Sequence, residues 1–277
     1  ATGKVIRPIE DNAGLKNKLS NYSLATKEFS TIEVNGNELN MWMIKPKDFD
    51  PNKKFPLLMF QYSGPGSQKV ANSWNDSNDF WHQSLAQKGY IVACVDGRGT
   101  GFKGTAFKKV TYKQLVHFET LDQIEVARKL GQESYIDAER IGIWGWSYGG
   151  HMSTNCILKG NDVFALAIAV APVTSWRFYD TIYTERFMRT PQENREGYDL
   201  NSPFNYPELL KGDYLLIHGS GDDNVHLQNT MRMAEALVQE NKPFELMIYP
   251  DKNHGIFGGN TRLHLYNKMT NFILNKL

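Results

Sequence analysis

The pentapeptide Gly145-Trp146-Ser147-Tyr148-Gly149 places a serine between two glycines at the spacing Gly-x-Ser-x-Gly. This spacing is typical of a nucleophile elbow, a strained turn between a strand and a helix that exposes the serine oxygen above a sheet. Glycines suit the flanking positions because side chains there would collide with the neighbouring strand and helix. A glycine-rich turn with an incidental serine has the same pattern, so the context of the turn decides.

The segments on either side of this turn supply the strand and the helix. Residues 140–144 are short, apolar and partly β-branched, and residues 152–158 have the pattern of a helix that ends near Gly160. Strand, turn and helix follow in the order that an elbow requires. Ser147 is therefore a candidate nucleophile.

A nucleophilic serine needs a base to take its proton and a carboxylate to orient that base. In α/β-hydrolases the three occur in the order serine, acid, histidine. His254 follows the last predicted strand and is the candidate base, although an isolated loop histidine is ordinarily a solvated side chain. Asp222 and Asp223 both follow an earlier strand, and their spacing does not decide between them.

Two further histidines, His218 and His226, lie beside these aspartates and are interpreted as packing or capping residues. Asp223 and His226 could begin a metal site, but the sequence offers no convincing further ligand. The chemistry predicted for Ser147 requires neither a metal nor a cofactor.

A second glycine-rich segment, residues 99–104, has the spacing Gly-x-Gly-x-x-Gly. A dinucleotide site would need these glycines to open a helix, and an acidic residue about 20 positions on at the end of the next strand. Residues 108–113 are basic and irregular instead, and Glu119 and Asp122 belong to a helical pattern. We therefore interpret the segment as a long loop after a strand.

Alternating strand and helix patterns predict a mostly parallel central sheet of about eight strands with helices on both faces. Together with the elbow and the order of serine, acid and histidine, this pattern predicts an α/β-hydrolase fold. Two strands form a hairpin around Asn35-Gly36. The predicted strands are residues 29–34, 39–44, 57–62, 90–95, 140–144, 164–171, 214–218 and 244–249. The predicted helices are residues 79–87, 119–130, 152–158, 227–240 and 263–277.

Two details of this pattern bear on the site. The predicted buried face of the helix at 119–130 carries Leu121, Ile124, Ala127 and Leu130. Residues 174–212 interrupt the alternation with many aromatic side chains and little periodicity, and an excursion of this length is usually functional.

Composition excludes several other classes of protein. A net charge of +1 over 277 residues creates no strong field for nucleic acid or an anionic membrane surface. The longest apolar run, Val163 to Val173, is far shorter than the roughly 20 residues needed to cross a bilayer. Cys94 and Cys156 lie in apolar segments and are predicted to be buried free thiols.

From about residue 29 to the C-terminus the chain resembles the prolyl oligopeptidase family of serine peptidases, and within it the catalytic domain of the dipeptidyl peptidases. The motifs that carry the resemblance are Tyr62-Ser63-Gly64-Pro65, Asp96-Gly97-Arg98-Gly99, the Ser147 elbow with Gly150, Ala171-Pro172-Val173, Tyr183-Thr184-Glu185-Arg186, His218-Gly219, residues 222–226, and His254-Gly255.

This resemblance implies a role for each matching residue. Asp222, three positions after the glycine of the His-Gly pair, becomes the triad acid beside Ser147 and His254. Tyr62 and the backbone N–H of Tyr148 become the oxyanion donors. The pocket for the residue before the scissile bond is formed by Tyr148, Val173, Trp176, Tyr179, Tyr183 and Val225, and Asn224 contacts a substrate carbonyl.

The resemblance also implies a function and a larger protein. The substrate is a peptide with proline or alanine in second position, cleaved through an acyl-enzyme at Ser147. Full-length relatives carry an amino-terminal β-propeller whose glutamate pair holds the substrate amino terminus, so residues 1–28 are predicted to be an arm or the remnant of the exit from that domain, and residues 29–277 the catalytic domain. A homodimer surface on the helix after Val225 and the C-terminal helix, and export to the periplasm or cell surface, follow from the same resemblance.

Three alternatives remain open at this point. The triad does not choose between ester and amide substrates, so an esterase or acylaminoacyl-peptidase of the same fold is possible. A domain excised from its propeller could be inactive, and a retained fold could serve as a non-catalytic interaction module.

Overall fold

In a computed structural model of the chain, which describes residues 3–73 and 78–277, the fold is organised around an eight-stranded sheet. The strands are β1 (Lys27–Val34), β2 (Asn37–Ile44), β3 (Phe55–Phe60), β4 (Ile91–Asp96), β5 (Ile136–Trp146), β6 (Leu166–Val170), β7 (Asp213–Gly219) and β8 (Glu245–Tyr249). Their spatial order is β1-β2-β4-β3-β5-β6-β7-β8. The pairs β1–β2 and β2–β4 are antiparallel, and all other neighbours are parallel. The prediction of a mostly parallel sheet of about eight strands is confirmed.

The α-helices of the described residues connect and cover these strands. They are α1 (Ala13–Leu19), α2 (Asp79–Ala86), α3 (Thr105–Lys109), α4 (His117–Leu130), α5 (Tyr148–Lys159), α6 (Thr181–Met188), α7 (Arg195–Leu200), α8 (Gln228–Gln239) and α9 (Thr261–Lys276). Each predicted helix is present, with α5 beginning directly after Ser147 and α4 two residues earlier than expected.

Side chains of the central strands pack alternately into two apolar clusters. Along β4, Ala93 and Val95 join the cluster that contains residues of α4, α5 and α8, while Val92 and Cys94 join the cluster that contains residues of α2 and α9. Helices therefore cover both faces of the sheet, which explains why its inner strands read as continuous apolar runs. Cys94 and Cys156 are buried, and neither is joined in a disulfide bond, as predicted.

The hairpin at the edge of the sheet follows the sequence prediction. Asn35 and Gly36, between β1 and β2, have φ angles of 52° and 70°. A two-residue hairpin turn of this type needs positive φ at both central positions, and asparagine and glycine accept it most readily. The Asn-Gly pair predicted the hairpin correctly because these two residue types tolerate the positive φ angles that the turn requires.

The buried face of α4 differs from the prediction. Leu121 is 43% exposed, whereas Ile124, Ala127 and Leu130 are buried as expected. Besides Val126, the buried positions that the pattern missed are polar, namely Glu119, Thr120, Asp122 and Gln123. Apolar periodicity cannot identify Glu119, Asp122 and Gln123, because their hydrogen-bond partners come from distant parts of the chain.

The segment after β4 is less irregular than predicted, because it contains the one-turn helix α3. Gly99 does not present an open backbone there, since a Cβ at this position would lie 2.7 Å from the Thr111 side chain. Gly101 packs against the carbonyl oxygen of Gly66. The loop is therefore folded against other protein segments.

Residues 174–212 form α6, α7 and three short 3-10 turns, and within them no strand is present. The amino-terminal arm, described from residue 3, contains α1, which has no buried residue. None of the described helices has the length and apolar character needed to span a membrane. The division into an arm and a catalytic domain at residue 29 stays a prediction.

Candidate active site

Ser147 lies at the turn between β5 and α5, above the carboxyl end of the sheet. Its backbone has φ 61° and ψ −116°, a conformation that is strained for any residue with a side chain. The turn is fixed on both sides: the Ser147 N–H donates to the carbonyl of Val170 at 2.8 Å, and the His151 N–H donates to the carbonyl of Ser147 at 3.0 Å. The predicted elbow is therefore present, with its serine at the apex.

Close approach of neighbouring backbone accounts for the elbow glycines. A Cβ on Gly149 would lie 2.6 Å from the carbonyl oxygen of Gln61, and one on Gly145 would collide with the carbonyl of Gly149. Gln61 also donates its side-chain amide to the Gly149 carbonyl at 2.8 Å and to Ser153 Oγ at 3.1 Å. This buried glutamine, which the sequence analysis did not single out, joins the end of β3 to the elbow helix.

Two loops at the same end of the sheet bring His254 and Asp222 together. Nδ1 of His254 lies 2.8 Å from Oδ2 of Asp222, although the residues follow different strands, β8 and β7. The other carboxylate oxygen, Oδ1, accepts the N–H groups of Asn224 and Val225 at 3.0 Å each. Asp223 points into solvent, so the aspartate that contacts His254 is Asp222.

His218 lies beside Asp222, a contact that its interpretation as a packing or capping residue did not predict. Its Nε2 lies 2.7 Å from the Val225 carbonyl and 3.2 Å from Asp222 Oδ2, and its Nδ1 lies 2.7 Å from Thr230 Oγ1. Both neighbours of Nε2 are acceptors, so Nε2 carries the proton and donates. The acid thus receives hydrogen bonds from two histidines. His226, by contrast, is exposed.

These contacts determine the protonation of Asp222. Burial alone would raise the pKa of its carboxyl, but hydrogen bonds from His218 and His254 and from backbone N–H groups lower that pKa below the usual range of aspartate. Asp222 is therefore a carboxylate over the physiological range. It can hold His254 as the Nδ1–H tautomer, which leaves Nε2 free to accept a proton.

Ser147 and His254 open into the same cavity, which has a volume of about 380 Å³. Its wall also contains Tyr62, Tyr179 and Asn224, with Phe60, Gln61, Lys69, Asn78, Trp146 and Arg262 completing the lining. The indole Nε1 of Trp146, the residue before the serine, donates to the His254 carbonyl at 3.0 Å. The nucleophile turn and the histidine loop are therefore joined directly.

Tyr62 and Tyr148, the two predicted oxyanion donors, lie side by side with ring centroids 6.0 Å apart. Burial raises the pKa of the Tyr62 phenol, so it remains a hydroxyl donor. Tyr148 is the first residue of α5, and the first N–H groups of a helix have no acceptor within the helix. Both groups are thus hydrogen-bond donors, and their role as oxyanion donors stays a prediction.

The glycine-rich loop after β4 supports the Tyr62 segment. The Gly66 N–H donates to the Gly99 carbonyl at 2.8 Å. Asp96 accepts the N–H of Val70 at 2.8 Å and that of Lys69 at 2.9 Å. The Asp96–Gly99 motif therefore braces the chain that follows Tyr62.

The residues predicted to form an aromatic pocket make a cluster of rings next to the cavity, and Tyr179 of this cluster lines the cavity wall. Trp176 and Tyr183 are stacked with centroids 6.0 Å apart, and Tyr179 meets Tyr183 edge-on at 5.3 Å. The ring centroids of Tyr148 and Trp176 are 5.4 Å apart. The hydroxyl of Tyr179 donates to Asn224 Oδ1 at 2.8 Å.

Two predicted pocket valines, Val173 and Val225, are buried in the same apolar cluster as Tyr148 and Trp176. The structure places Ser147, His254, Tyr62, Tyr179 and Asn224 in one cavity wall, and Tyr148, Trp176 and Tyr183 in ring contact with Tyr62 or Tyr179 of that wall. Val173 and Val225 are buried and are not part of the cavity lining. Among the described residues, no group of three or more histidine, cysteine, aspartate or glutamate side chains is arranged to hold a metal ion.

Glu119, on α4, is the second site neighbour that the sequence analysis missed. Its Oε1 accepts the Tyr148 hydroxyl at 2.6 Å, and the carboxyl is fully buried. Burial raises the pKa of Glu119 to about 7. The only sequence signal was an acidic residue one turn before Asp122 in an otherwise partly apolar helix.

Comparison with known proteins gives consistent results. Residues 76–277 match the prolyl oligopeptidase family. The chain is 43% identical over 270 residues to a probable dipeptidyl-aminopeptidase B of Coccidioides posadasii, with 96% of the chain and 29% of that protein covered. It is also 43% identical over 278 residues to the mouse prolyl endopeptidase FAP, with 98% of the chain and 36% of that protein covered.

Among solved structures, Porphyromonas gingivalis dipeptidyl peptidase 4 superimposes with a TM-score of 0.94 at 53% identity, covering 98% of this chain and 38% of that one. A putative dipeptidyl aminopeptidase IV from Bacteroides ovatus gives a TM-score of 0.90 at 35% identity, covering 94% and 37%. The chain thus spans roughly a third of the length of each of these relatives.

Proposed function

Because this chain belongs to the prolyl oligopeptidase family, we propose that it is the catalytic domain of a serine dipeptidyl peptidase that releases X-Pro or X-Ala dipeptides. The observation that carries the proposal is the shared cavity. Ser147, His254 and Tyr62 line this cavity, and Asp222 contacts Nδ1 of the His254 ring, which leaves Nε2 for the reaction. An aromatic pocket adjoins the same cavity through Tyr179.

In the first step, Ser147 Oγ attacks the carbonyl carbon of the second substrate residue while His254 Nε2 takes the hydroxyl proton. The carboxylate of Asp222 stabilises the imidazolium that forms. Collapse of the tetrahedral intermediate breaks the C–N bond, and His254 gives its proton to the leaving amine. Water, deprotonated by His254, then hydrolyses the acyl-enzyme and restores Ser147.

The negative charge of the tetrahedral intermediate falls on the former carbonyl oxygen. We assign its stabilisation to the Tyr62 hydroxyl and the Tyr148 backbone N–H, which are fixed before substrate arrives. Donors held in place in this way are worth roughly 10²–10³ in rate each, because they need no reorganisation during the reaction.

Preference for proline follows from the shape of the pocket. The rings of Tyr148, Trp176 and Tyr183 are flat and are held by mutual contacts. Such a slot accepts a pyrrolidine ring and excludes longer or branched side chains. Asn224, held by Tyr179, is positioned to donate to a substrate carbonyl.

For the whole protein, we propose a preceding β-propeller that binds the substrate amino terminus, and a homodimer. The family resemblance supports the first. The second is supported by exposed apolar side chains on the elements at one edge of the sheet, Met231 and Val238 on α8, Leu246 on β8 and Leu274 on α9. Sedimentation of the protein with and without Val238→Glu tests the dimer.

Covalent labelling by a fluorophosphonate tests the proposed nucleophile. We expect the probe to label Ser147, as located by peptide mass mapping, and Ser147→Ala to abolish labelling. Ser84→Ala, on the far side of the sheet in α2, is the matched control and should label normally. Labelling without any cleavage of Gly-Pro anilides, but with ester cleavage, would favour an esterase instead.

A further inference from the structure

Glu119 and Tyr148 form a buried hydrogen bond directly behind the elbow. The Tyr148 hydroxyl donates to Glu119 Oε1 at 2.6 Å, and the side chains are 3% and 0% exposed. Glu119 lies in the first turn of α4, and Tyr148 is the first residue of α5. The bond therefore fixes the start of the elbow helix to a second helix.

Tyr148 would serve the proposed reaction in two ways. Its N–H is one oxyanion donor, and its ring is one wall of the aromatic pocket, between Trp176 at 5.4 Å and Tyr62 at 6.0 Å. Rotation of this ring would disturb the pocket, and a shift of its backbone would move the donor. Glu119, which accepts the Tyr148 hydroxyl, thus influences both the pocket and the position of the N–H donor.

A glutamate is an expensive choice for this position if packing is its only role. Its carboxyl is buried, and Oε2 has no hydrogen-bond partner among the described residues. Removing a carboxyl from water without full hydrogen bonding costs free energy that a leucine or methionine would not cost. A costly polar group beside a reactive centre favours a functional explanation.

We propose that Glu119 is a positioning residue of the hydrolytic reaction, which fixes the ring and the backbone N–H of Tyr148 by accepting its hydroxyl hydrogen bond. This inference rests on the proposed function. Glu119 is not part of the wall of the Ser147 cavity, so we expect it to act through its hydrogen bond to Tyr148.

The test compares kcat and KM for a Gly-Pro anilide, with kcat normalised to the fraction of Ser147 that a fluorophosphonate labels. Glu119→Leu should lower kcat roughly tenfold or more, since small misplacements of a donor are costly in rate. Glu119→Gln keeps an acceptor oxygen and should stay within about threefold of the unmodified chain at acidic pH. Normalisation excludes a loss that only reflects unfolded protein.

Tyr148→Phe keeps the ring and removes the hydroxyl, so it should reproduce the loss caused by Glu119→Leu. The double variant should be no slower than either single one, because both changes break the same bond. Tyr214→Phe is the matched control. Tyr214 has an equally buried hydroxyl, 2.7 Å from Thr154 Oγ1 in the same helix α5, but it does not line the pocket.

A pH profile adds a readout that a packing role would not change. The titratable and charged groups facing Glu119 are Tyr148 from α5, Tyr183 from α6, and Asp122 of α4 with its partner Arg98. An ionised carboxylate accepts more strongly than an amide. The rate ratio of the unmodified chain to Glu119→Gln should therefore increase as pH rises through about 7.

The outcomes separate this inference from the proposed function. If the unmodified chain hydrolyses the anilide and the Glu119→Leu variant matches it, the role of Glu119 is overturned and the function stands. Additive losses in the double variant, or a normal rate for Tyr148→Phe beside a slow Glu119→Leu, would also overturn it. If the unmodified chain neither hydrolyses nor labels, the proposed function itself fails, and the inference with it.

Discussion

At the scale of single residues, Asp222 is held by contacts to both of its carboxylate oxygens. Its Oδ2 contacts His254 and His218, and its Oδ1 accepts two backbone N–H groups. A carboxylate held this way cannot rotate, so it fixes the plane of the His254 ring as well as its tautomer.

Asp222→Asn should therefore lower kcat/KM for a Gly-Pro anilide by roughly 10³–10⁴, because an amide there favours the wrong histidine tautomer. Asp223→Asn changes an exposed neighbour and should leave the rate within about twofold. Both variants are compared at equal folded fraction. Equal losses in the two would refute the assignment of the acid.

His218→Ala should slow hydrolysis by roughly tenfold, the equivalent of about 1.4 kcal/mol, by freeing Asp222 on one side. Its exposed neighbour His226 provides the matched control, since His226→Ala removes the same kind of ring without touching the acid. Steady-state kinetics on both variants decide the matter. A normal rate for His218→Ala would reduce that residue to the packing role that the sequence suggested.

Glu119 should make folding stability depend on pH. Its pKa is raised by burial from the ordinary 4.5 to about 7, so between these values the folded protein holds a proton that the unfolded chain releases. Stability from this group is thus complete below 4.5 and is lost as pH rises to about 7, a span of roughly 3 kcal/mol at about 1.4 kcal/mol per unit.

Urea unfolding of Glu119→Gln at about pH 5 and about pH 8 measures this effect. The variant should gain stability relative to the unmodified chain at the higher pH. Glu133→Gln, an exposed change, serves as the control and should show no such gain. A constant difference between the two chains at both pH values would contradict the raised pKa.

At the scale of elements, the elbow depends on how closely β3, β5 and α5 approach one another. Gly149 lies against the carbonyl of Gln61, at the end of β3, and Gly145 lies against Gly149. The sequence predicted these glycines and the elements around them, because a strand, a turn and a helix of this type each leave a local pattern. It did not predict Gln61, since a buried amide at a strand end resembles any polar boundary residue.

Gly149→Ala should destabilise the fold by roughly 1–3 kcal/mol, because the new methyl group must displace backbone. Gly14→Ala, in the exposed helix α1 with nothing within 4 Å of the added carbon, should be neutral or stabilising by up to about 1 kcal/mol. Denaturant midpoints of the two variants give the comparison. If Gly149→Ala proved as stable as Gly14→Ala, the elbow would be looser than its contacts indicate.

Buried polar residues also explain why the predicted buried face of α4 was partly wrong. Leu121 was assigned to its buried face by periodicity, yet it is exposed, and Asp122 is buried beside it. Asp122 owes its burial to Arg98, which reaches it from the loop after β4 with an N–H···O distance of 2.6 Å between Nη2 and Oδ1. Local patterns record which residues are apolar, not which polar residues find distant partners.

At the scale of the whole molecule, the specificity of the chain should reflect the part of the substrate that it contacts. The aromatic pocket lies within it, so we expect kcat/KM for Gly-Pro anilide to exceed that for Gly-Leu anilide. We propose that the amino-terminal anchor belongs to a propeller outside these 277 residues, so acetyl-Gly-Pro should be cleaved about as well as Gly-Pro by this chain, and both slowly.

These three anilides are compared on the 277-residue chain. Rejection of the acetylated substrate would place an amino-terminus reader within this chain. Equal cleavage of the leucine substrate would refute the proline pocket. The two results are independent, because one concerns the free amine and the other the ring behind the scissile bond.

The order of the strands has a consequence for protein synthesis. From β5 onward each new strand is added at the same side of the sheet, as β5-β6-β7-β8. The serine follows β5, the acid follows β7 and the base follows β8. Since chains emerge from the ribosome amino terminus first, Ser147 is made before Asp222, and His254 is made after both. A nascent chain that has reached β6 carries Ser147 but neither proposed partner, so we expect it to be unable to cleave other polypeptides until β8 and the loop that carries His254 have been translated.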